Sequence, residues 1–192
     1  MSAPRRPNPA KLVVGLLFRD PDRQQQVWRS LSERFGPLDC LTQPVPFTYT
    51  DYYEREMGPG IQRQLGSFLD LVDPDTLPAI KHFSNELERR LSPTEGRQVN
   101  IDPGLLSEER LVLATGKNFT HRIYLGDGIY ADLTLIYQKG AYRPLPWTYP
   151  DYQDPALLQV LKAIRAKLIY QRGGRLPRKA SANAAAASAV AD

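Results

Sequence analysis

Residues 11–18, KLVVGLLF, are almost continuously apolar. The run is too short for a membrane span, which takes about 20 apolar residues. It also lacks the polar alternation of a strand that is wet on one face, so it fits a strand covered on both faces near the centre of a sheet. Asp20-Pro21 stops the run and caps a helix predicted to reach Phe35. Val27, Leu31 and Phe35 recur every four residues in it, and Gly36-Pro37 ends it. A central strand feeding an amphipathic helix commits the chain to a sheet with helices packed on it.

Further along, residues 38–53 read as extended chain, and Pro44 and Pro46 place it at a sheet edge because proline lacks the ladder donor. A turn at residues 57–60 leads to a second strand carrying Ile61, Leu65, Leu69 and Leu71, and the two form a hairpin. Asp75 or Thr76 caps a helix whose buried stripe is Leu77, Ile80, Phe83 or Ser84, Leu87 and Leu91, with Pro93 and Gly96 ending it. Residues 97–102 read as a strand, Pro103-Gly104 as a turn, and residues 107–115 as a short helix closed by Gly116. Two strands, residues 120–125 and 129–137, flank Gly126-Asp127-Gly128, and Leu157, Leu161, Ile164 and Leu168 line a terminal helix that begins after Asp154-Pro155. The order predicts an α+β fold: a mainly antiparallel sheet with a ferredoxin-like βαββαβ core plus a β-hairpin and a C-terminal helix. The domain is predicted over residues 11–170, between a flexible arm (1–10) and a disordered basic, Ala-rich tail (171–192).

The net charge of +4 invites a nucleic-acid reading until the charges are located. Arg5, Arg6 and Lys11 at one end and Arg172, Arg175, Arg178 and Lys179 at the other leave the intervening body slightly acidic, without a Lys/Arg block. Nucleic-acid contact is therefore expected of the tails alone, weakly, and not of the folded body. No membrane span or signal peptide is expected, and the single cysteine, Cys40, forms no internal disulfide, which fits a reducing cytoplasm. With hydrophobic residues at 42% and charged residues at 24%, collagen-like, coiled-coil and disordered classes are excluded.

The segment around Asp127 carries the most chemistry. A three-residue loop pairs Leu125 with Ile129, Ile123 with Ala131 and His121 with Leu133, which sorts apolar and polar groups onto separate faces. The polar face then holds Arg122 opposite Asp132 and Tyr124 opposite Tyr130, a strip able to orient a polar ligand. The competing description is a solvated sheet face with a cross-strand ion pair. Asn100 and Asp102 stand at a strand end where a ligand or metal contact is exposed, although Asp before Pro-Gly is also ordinary turn chemistry. Lys81, Asn85 and Glu88 share one helix face and are expected to point into water. The segments Asp51-Tyr52-Tyr53-Glu54 and Trp147-Thr148-Tyr149-Pro150-Asp151-Tyr152 concentrate rings and carboxylates in irregular chain, as an aromatic-walled pocket would, or a pinned-down loop.

Several chemistries find no support. His82 and His121 are the only histidines, so a three-histidine metal site is impossible and no metal site is assigned. His121 is a candidate general acid or base, set against a histidine packed on the inner face. Cys40 has no base beside it in sequence, no GxSxG elbow occurs, and Gly116-Lys117 fails as a phosphate loop because Leu111 and Asn118 stand where glycine and Ser or Thr are needed.

The segments KLVVGLL, TDYYEREMG, SNELERRL, VNIDPG, HRIYLGDGIYADLTL and PLPWTYPDY resemble a bacterial family known as domain of unknown function 4416, over residues 11–170. The resemblance implies no established activity, catalytic residue or cofactor. Some members carry the label GTP-binding protein, which would imply the phosphate loop that Gly116-Lys117 does not supply.

The expectation is a protein that binds a small polar or anionic ligand. Arg122 is the anion partner, Asp132 positions it, Tyr124, Tyr130, Trp147 and Tyr149 are walls, and Asn100 is a further contact. One alternative is an enzyme using His121 or Asp102 for proton transfer, or its carboxylates for Mg²⁺ on a nucleotide or phosphate-type substrate. Another is a protein-interaction module exposing the Pro44/Pro46 edge or the Trp147 loop.

Overall fold

The computed structural model describes residues 3–92 and 96–174. The apolar run forms β1 (Ala10–Phe18), buried at every position. The Asp20 side chain accepts from the Asp22 amide and starts α1 (Pro21–Phe35). The chain continues through β2 (Leu38–Leu41), β3 (Val45–Pro46), the single turn α2 (Glu54–Met57), β4 (Gln62–Val72) and α3 (Leu77–Leu91). It then adds β5 (Val99–Leu106), β6 (Arg110–Thr115), β7 (Arg122–Gly126), β8 (Ile129–Gln138), β9 (Ala141–Pro144) and α4 (Pro155–Gly173).

The strands form one sheet in the order β2-β4-β1-β5-β6-β8-β7, with β3 also on β4 and β9 also on β8. Every pairing is antiparallel. Helix α1 joins β1 to β2 across β4, and α3 joins β4 to β5 across β1, so both crossovers skip a strand. The fold is therefore α+β, built on a main antiparallel sheet.

Strand period sorts β1 between two cores. Leu12, Val14, Leu16 and Phe18 pack with Val27, Trp28 and Leu31 of α1 and Ile80 and Leu87 of α3. Val13 faces the other way, with Leu65, Leu106, Leu111 and Leu135 beneath Leu157, Leu161, Ile164 and Leu168 of α4. The predicted stripe of α4 is thus its buried one, and Asp154 caps it by accepting from the Ala156 and Leu157 amides.

Two predicted elements differ. Pro103-Gly104 makes no turn, because β5 runs straight through it, with Pro103 opposite Val14 and Gly104 opposite Val13. Up to Pro103 the strand has β1 as its only strand partner among the described residues, since β6 joins at Gly104, so the missing proline donor interrupts no second ladder there. The helix predicted over residues 107–115 is strand β6, whose Leu111 and Leu113 face α4 while Val112 and Ala114 face the other core. Apolar groups on both faces of a covered strand mimic a helical run. Strand β9 was not anticipated; it follows a turn at Lys139 and Gly140, both at positive φ (49° and 79°).

Lys11, grouped with the basic arm by its position, is completely buried, with Nζ 2.8 Å from Asp39 Oδ2 and 2.8 Å from the Phe68 carbonyl oxygen. Helix α4 extends through Gly173, into the segment predicted as tail. The tail from residue 175 onward and Pro93, expected to end α3, lie outside the described residues. Among the described residues no helix is long and apolar enough to cross a membrane.

Candidate functional site

The hairpin β7–β8 holds Arg122 opposite Asp132, Ile123 opposite Ala131 and Tyr124 opposite Tyr130, as the face-sorting argument requires. Its tip differs by one residue: Leu125 bulges out and Gly126, not Leu125, pairs with Ile129. The bulge leads into three consecutive residues at positive φ, Gly126 (120°), Asp127 (53°) and Gly128 (75°), a conformation two glycines and an aspartate can adopt.

At the Arg122–Asp132 pair the burial of the two hairpin faces is the reverse of the expected one, whereas toward the tip Ile129 of the apolar face is buried and Tyr124 of the polar face exposed. Ile123 is 69% exposed and Leu125 42%, whereas the side chains of Arg122 and Asp132 are 10% and 3% exposed. Coverage explains the reversal. Helix α3 touches the hairpin at its tip, where His82 Nε2 donates to the Asp127 carbonyl at 2.9 Å. The segment after β9 folds over the polar face instead. Trp147 Nε1 donates to the Leu133 carbonyl (2.7 Å), and Thr148 Oγ1 to the Thr134 carbonyl (2.5 Å).

Under that cover Arg122 bonds three groups: Nε to Asp132 Oδ2 at 2.9 Å, Nη1 to the Lys117 carbonyl at 3.0 Å and Nη2 to the Tyr149 hydroxyl at 2.7 Å. His121 does not pack inward beside Leu133. Its Nε2 lies 3.2 Å from the same Asp132 Oδ2, and its ring stacks on Trp147 at 4.8 Å and 11°, with Phe119 at its edge. Thr134 Oγ1 donates to the Asp132 carbonyl oxygen at 3.1 Å. Tyr124 and Tyr130 sit apart, 5.2 Å from each other toward the tip, where the Tyr124 hydroxyl accepts from the Gly128 amide.

Asn100 and Asp102 project from β5 on the α4 side of the sheet, opposite Leu17 and Gly15. Asn100 Nδ2 donates to Asp102 Oδ2 and its Oδ1 accepts from Arg97, whose Nε reaches Glu56 at 3.3 Å. Lys81 is not solvated: it is buried, and Nζ donates to the Ile101 carbonyl (2.9 Å) and reaches Asp102 Oδ1 (3.5 Å). Glu88 from the same helix accepts from the Ile101 amide at 2.6 Å. Burial pushes the Glu88 carboxyl above its usual range, against the opposing charge of Lys81.

Tyr149 links the two groups. Burial raises its hydroxyl above the usual tyrosine value; the charge of Arg122 opposes the shift, while Asp132 and Asp102 add to it. Burial also raises Tyr53, and the charge of Asp102 adds to that shift too. Asp51 stays exposed and joins neither group. Sequence reasoning missed Arg63, whose Nε lies 2.8 Å from Asp151 Oδ2 with its side chain 7% exposed. The signal was present: Arg63 falls on the same strand face as Ile61 and Leu65, a charge at a core position.

Among the described residues no three His, Cys, Asp or Glu side chains are grouped to hold a metal ion. A groove of about 340 Å³ lies between α1 and α3 and involves Arg34, Phe35 and Phe83, on the opposite side of the sheet from these side chains. No curated protein and no solved structure matches the chain. The family model described as domain of unknown function (DUF4416) matches residues 8–168. From its first core strand almost to the end of α4, then, the chain belongs to the DUF4416 family.

Proposed function

We propose that the chain binds a small polar ligand with an anionic group where the 147–153 segment packs against the sheet. Arg122 supplies the charge, and each of its terminal nitrogens keeps a second N–H beyond those bonded to Lys117 and Tyr149. Asp132 fixes the guanidinium plane, Trp147 and Tyr149 offer partly exposed rings to the ligand, and Asp102, with 36% of its side chain exposed, accepts hydrogen bonds from its other end. The observation that carries the reading is the Tyr149 hydroxyl, bonded to Arg122 at 2.7 Å while under the field of Asp102. Thermal-shift screening against nucleotides, sugar phosphates and organic acids, followed by calorimetry, tests it. A saturable rise in Tm that weakens in Tyr149→Phe and Asp102→Asn is the expected result; a flat response across the whole panel defeats the reading.

A proton-transfer role for His121 has less support, because its ring is stacked on Trp147 and its Nε2 is held by Asp132. Two further assignments belong to the same reading. The strand order β2-β4-β1-β5, with both helices as skipping crossovers, supports a ferredoxin-like core, and the lone Cys40 supports a reducing cytoplasmic setting.

The open edge at β7 favours a second reading, a protein-interaction module whose partner is another copy of this chain. Antiparallel pairing about a two-fold axis at Tyr124 sets exposed Ile123 of one copy across from exposed Leu125 of the other. Sedimentation equilibrium showing only monomer at high concentration excludes it.

A further inference from the structure

The groove between α1 and α3 plays no part in the binding reading above. Its volume of about 340 Å³ falls among small-molecule pockets, about 300–1,000 Å³. It lies at the C-terminal end of α1 and the N-terminal half of α3, beside Val72, the last residue of β4. The floor is apolar. Phe35 and Phe83, both half-buried, meet edge to face with ring centroids 5.4 Å apart at 82°, and Val72 and Ile80 line the groove with them. Half-buried rings keep apolar surface in water, and an apolar body seated on them removes it.

The rim carries two opposite charges, Arg34 and Asp73, both exposed. The Arg34 guanidinium carbon stands 5.7 Å from the centre of the Phe35 ring, which keeps that charge at the edge of the apolar floor. Among the described residues neither charge forms an ion pair, with the other or with a third side chain. A simple anion would match Arg34 and meet the like charge of Asp73, and a neutral apolar body would leave both charges unused. A small body that holds a carboxylate and an ammonium together matches both. We infer that the groove binds a free α-amino acid with an apolar side chain, its carboxylate at Arg34, its ammonium at Asp73 and its side chain on Phe35 and Phe83. This site and the one at Arg122 lie on opposite sides of the sheet and stand or fall separately.

The test titrates the full chain with L-phenylalanine and L-leucine at neutral pH and constant ionic strength, following Tm and heat of binding. Glycine, phenylpropionate and phenethylamine are the control arms, lacking in turn the side chain, the ammonium and the carboxylate. Saturable binding of at least one of the two amino acids is expected, with none of glycine, and with binding of either single-charge analogue weaker by about fivefold. Arg34→Gln and Asp73→Asn should each weaken the amino acid by a similar factor, and both side chains are exposed, so the variants fold. Ala79→Leu, which fills the groove from an exposed helix position, should abolish binding. No saturable binding of either amino acid, equal binding of glycine or of a single-charge analogue, or unchanged affinity in any of the three variants overturns the inference. So does a response that is lost in Tyr149→Phe but kept in Arg34→Gln, which places the ligand at Arg122 instead.

Discussion

Lys81 and Glu88, two helical turns apart on α3, take the carbonyl and the amide of one β5 residue, Ile101. Because β6 joins β5 only from Gly104, these side chains stand where the next strand would pair, and they protect an edge inside the sheet. Glu88→Ala, which orphans the Ile101 amide, should cost about 1–3 kcal/mol in urea denaturation. An effect within error would show that water serves the amide equally well.

Glu88 also sets a pH dependence. Its folded pKa is raised above the usual 4.5, mainly by burial, so in the window above 4.5 the folded state binds more protons than the unfolded. Its contribution therefore favours folding as pH falls from neutral toward 4.5 and weakens as pH rises through the folded value. Asp151, raised by burial from 3.8, has the same sign. The difference in stability between Glu88→Gln and the parent, measured from pH 7 down to pH 5, should shrink as the parent catches up. A constant difference contradicts the assignment.

The buried pair Lys11–Asp39 behaves oppositely. Although burial alone would raise the Asp39 carboxyl, its bonds to Lys11 and Ser67 and the charges of Lys11 and Lys167 bring it below 3.8. The stability it contributes is present above 3.8 and is lost as pH falls through the lower folded value. Lys11→Met leaves Asp39 without its buried cation and should cost about 3–5 kcal/mol, much of it recovered when Asp39→Leu is added. A double variant no more stable than the single one would refute the coupling.

Gly15 makes room for Tyr152. A Cβ there would lie 2.8 Å from the Tyr152 hydroxyl, which occupies the space above β1. Gly15→Ala should destabilise by about 1–3 kcal/mol in urea denaturation, through overpacking against Tyr152. Equal stability of the two proteins would show that Tyr152 yields its place without cost.

Legibility in the sequence follows coverage. The central strand, the Asp20 and Asp154 caps, the α4 stripe and the Arg122–Asp132 register are all set by neighbours in sequence or by period, and each is where the residues placed it. Which hairpin face is buried depends on the remote 145–153 segment, so pattern alone put Ile123 inside when it is exposed. Strand β6 looked helical because it is apolar on both faces, and Arg63 was masked by the ordinary strand around it.

The shape of Gly15 bears on how the chain matures. The trench beneath Tyr152 is laid down by residues up to Asp102, while the ring that fills it and the helix that presses on it come after Tyr149. During synthesis the sheet must wait, with Arg63 and Asp102 uncovered, until the last quarter of the chain emerges from the ribosome. Chains arrested before α4 would hold Arg63 and Asp102 open to water, and they should be selectively cleared by proteases that ignore the completed fold.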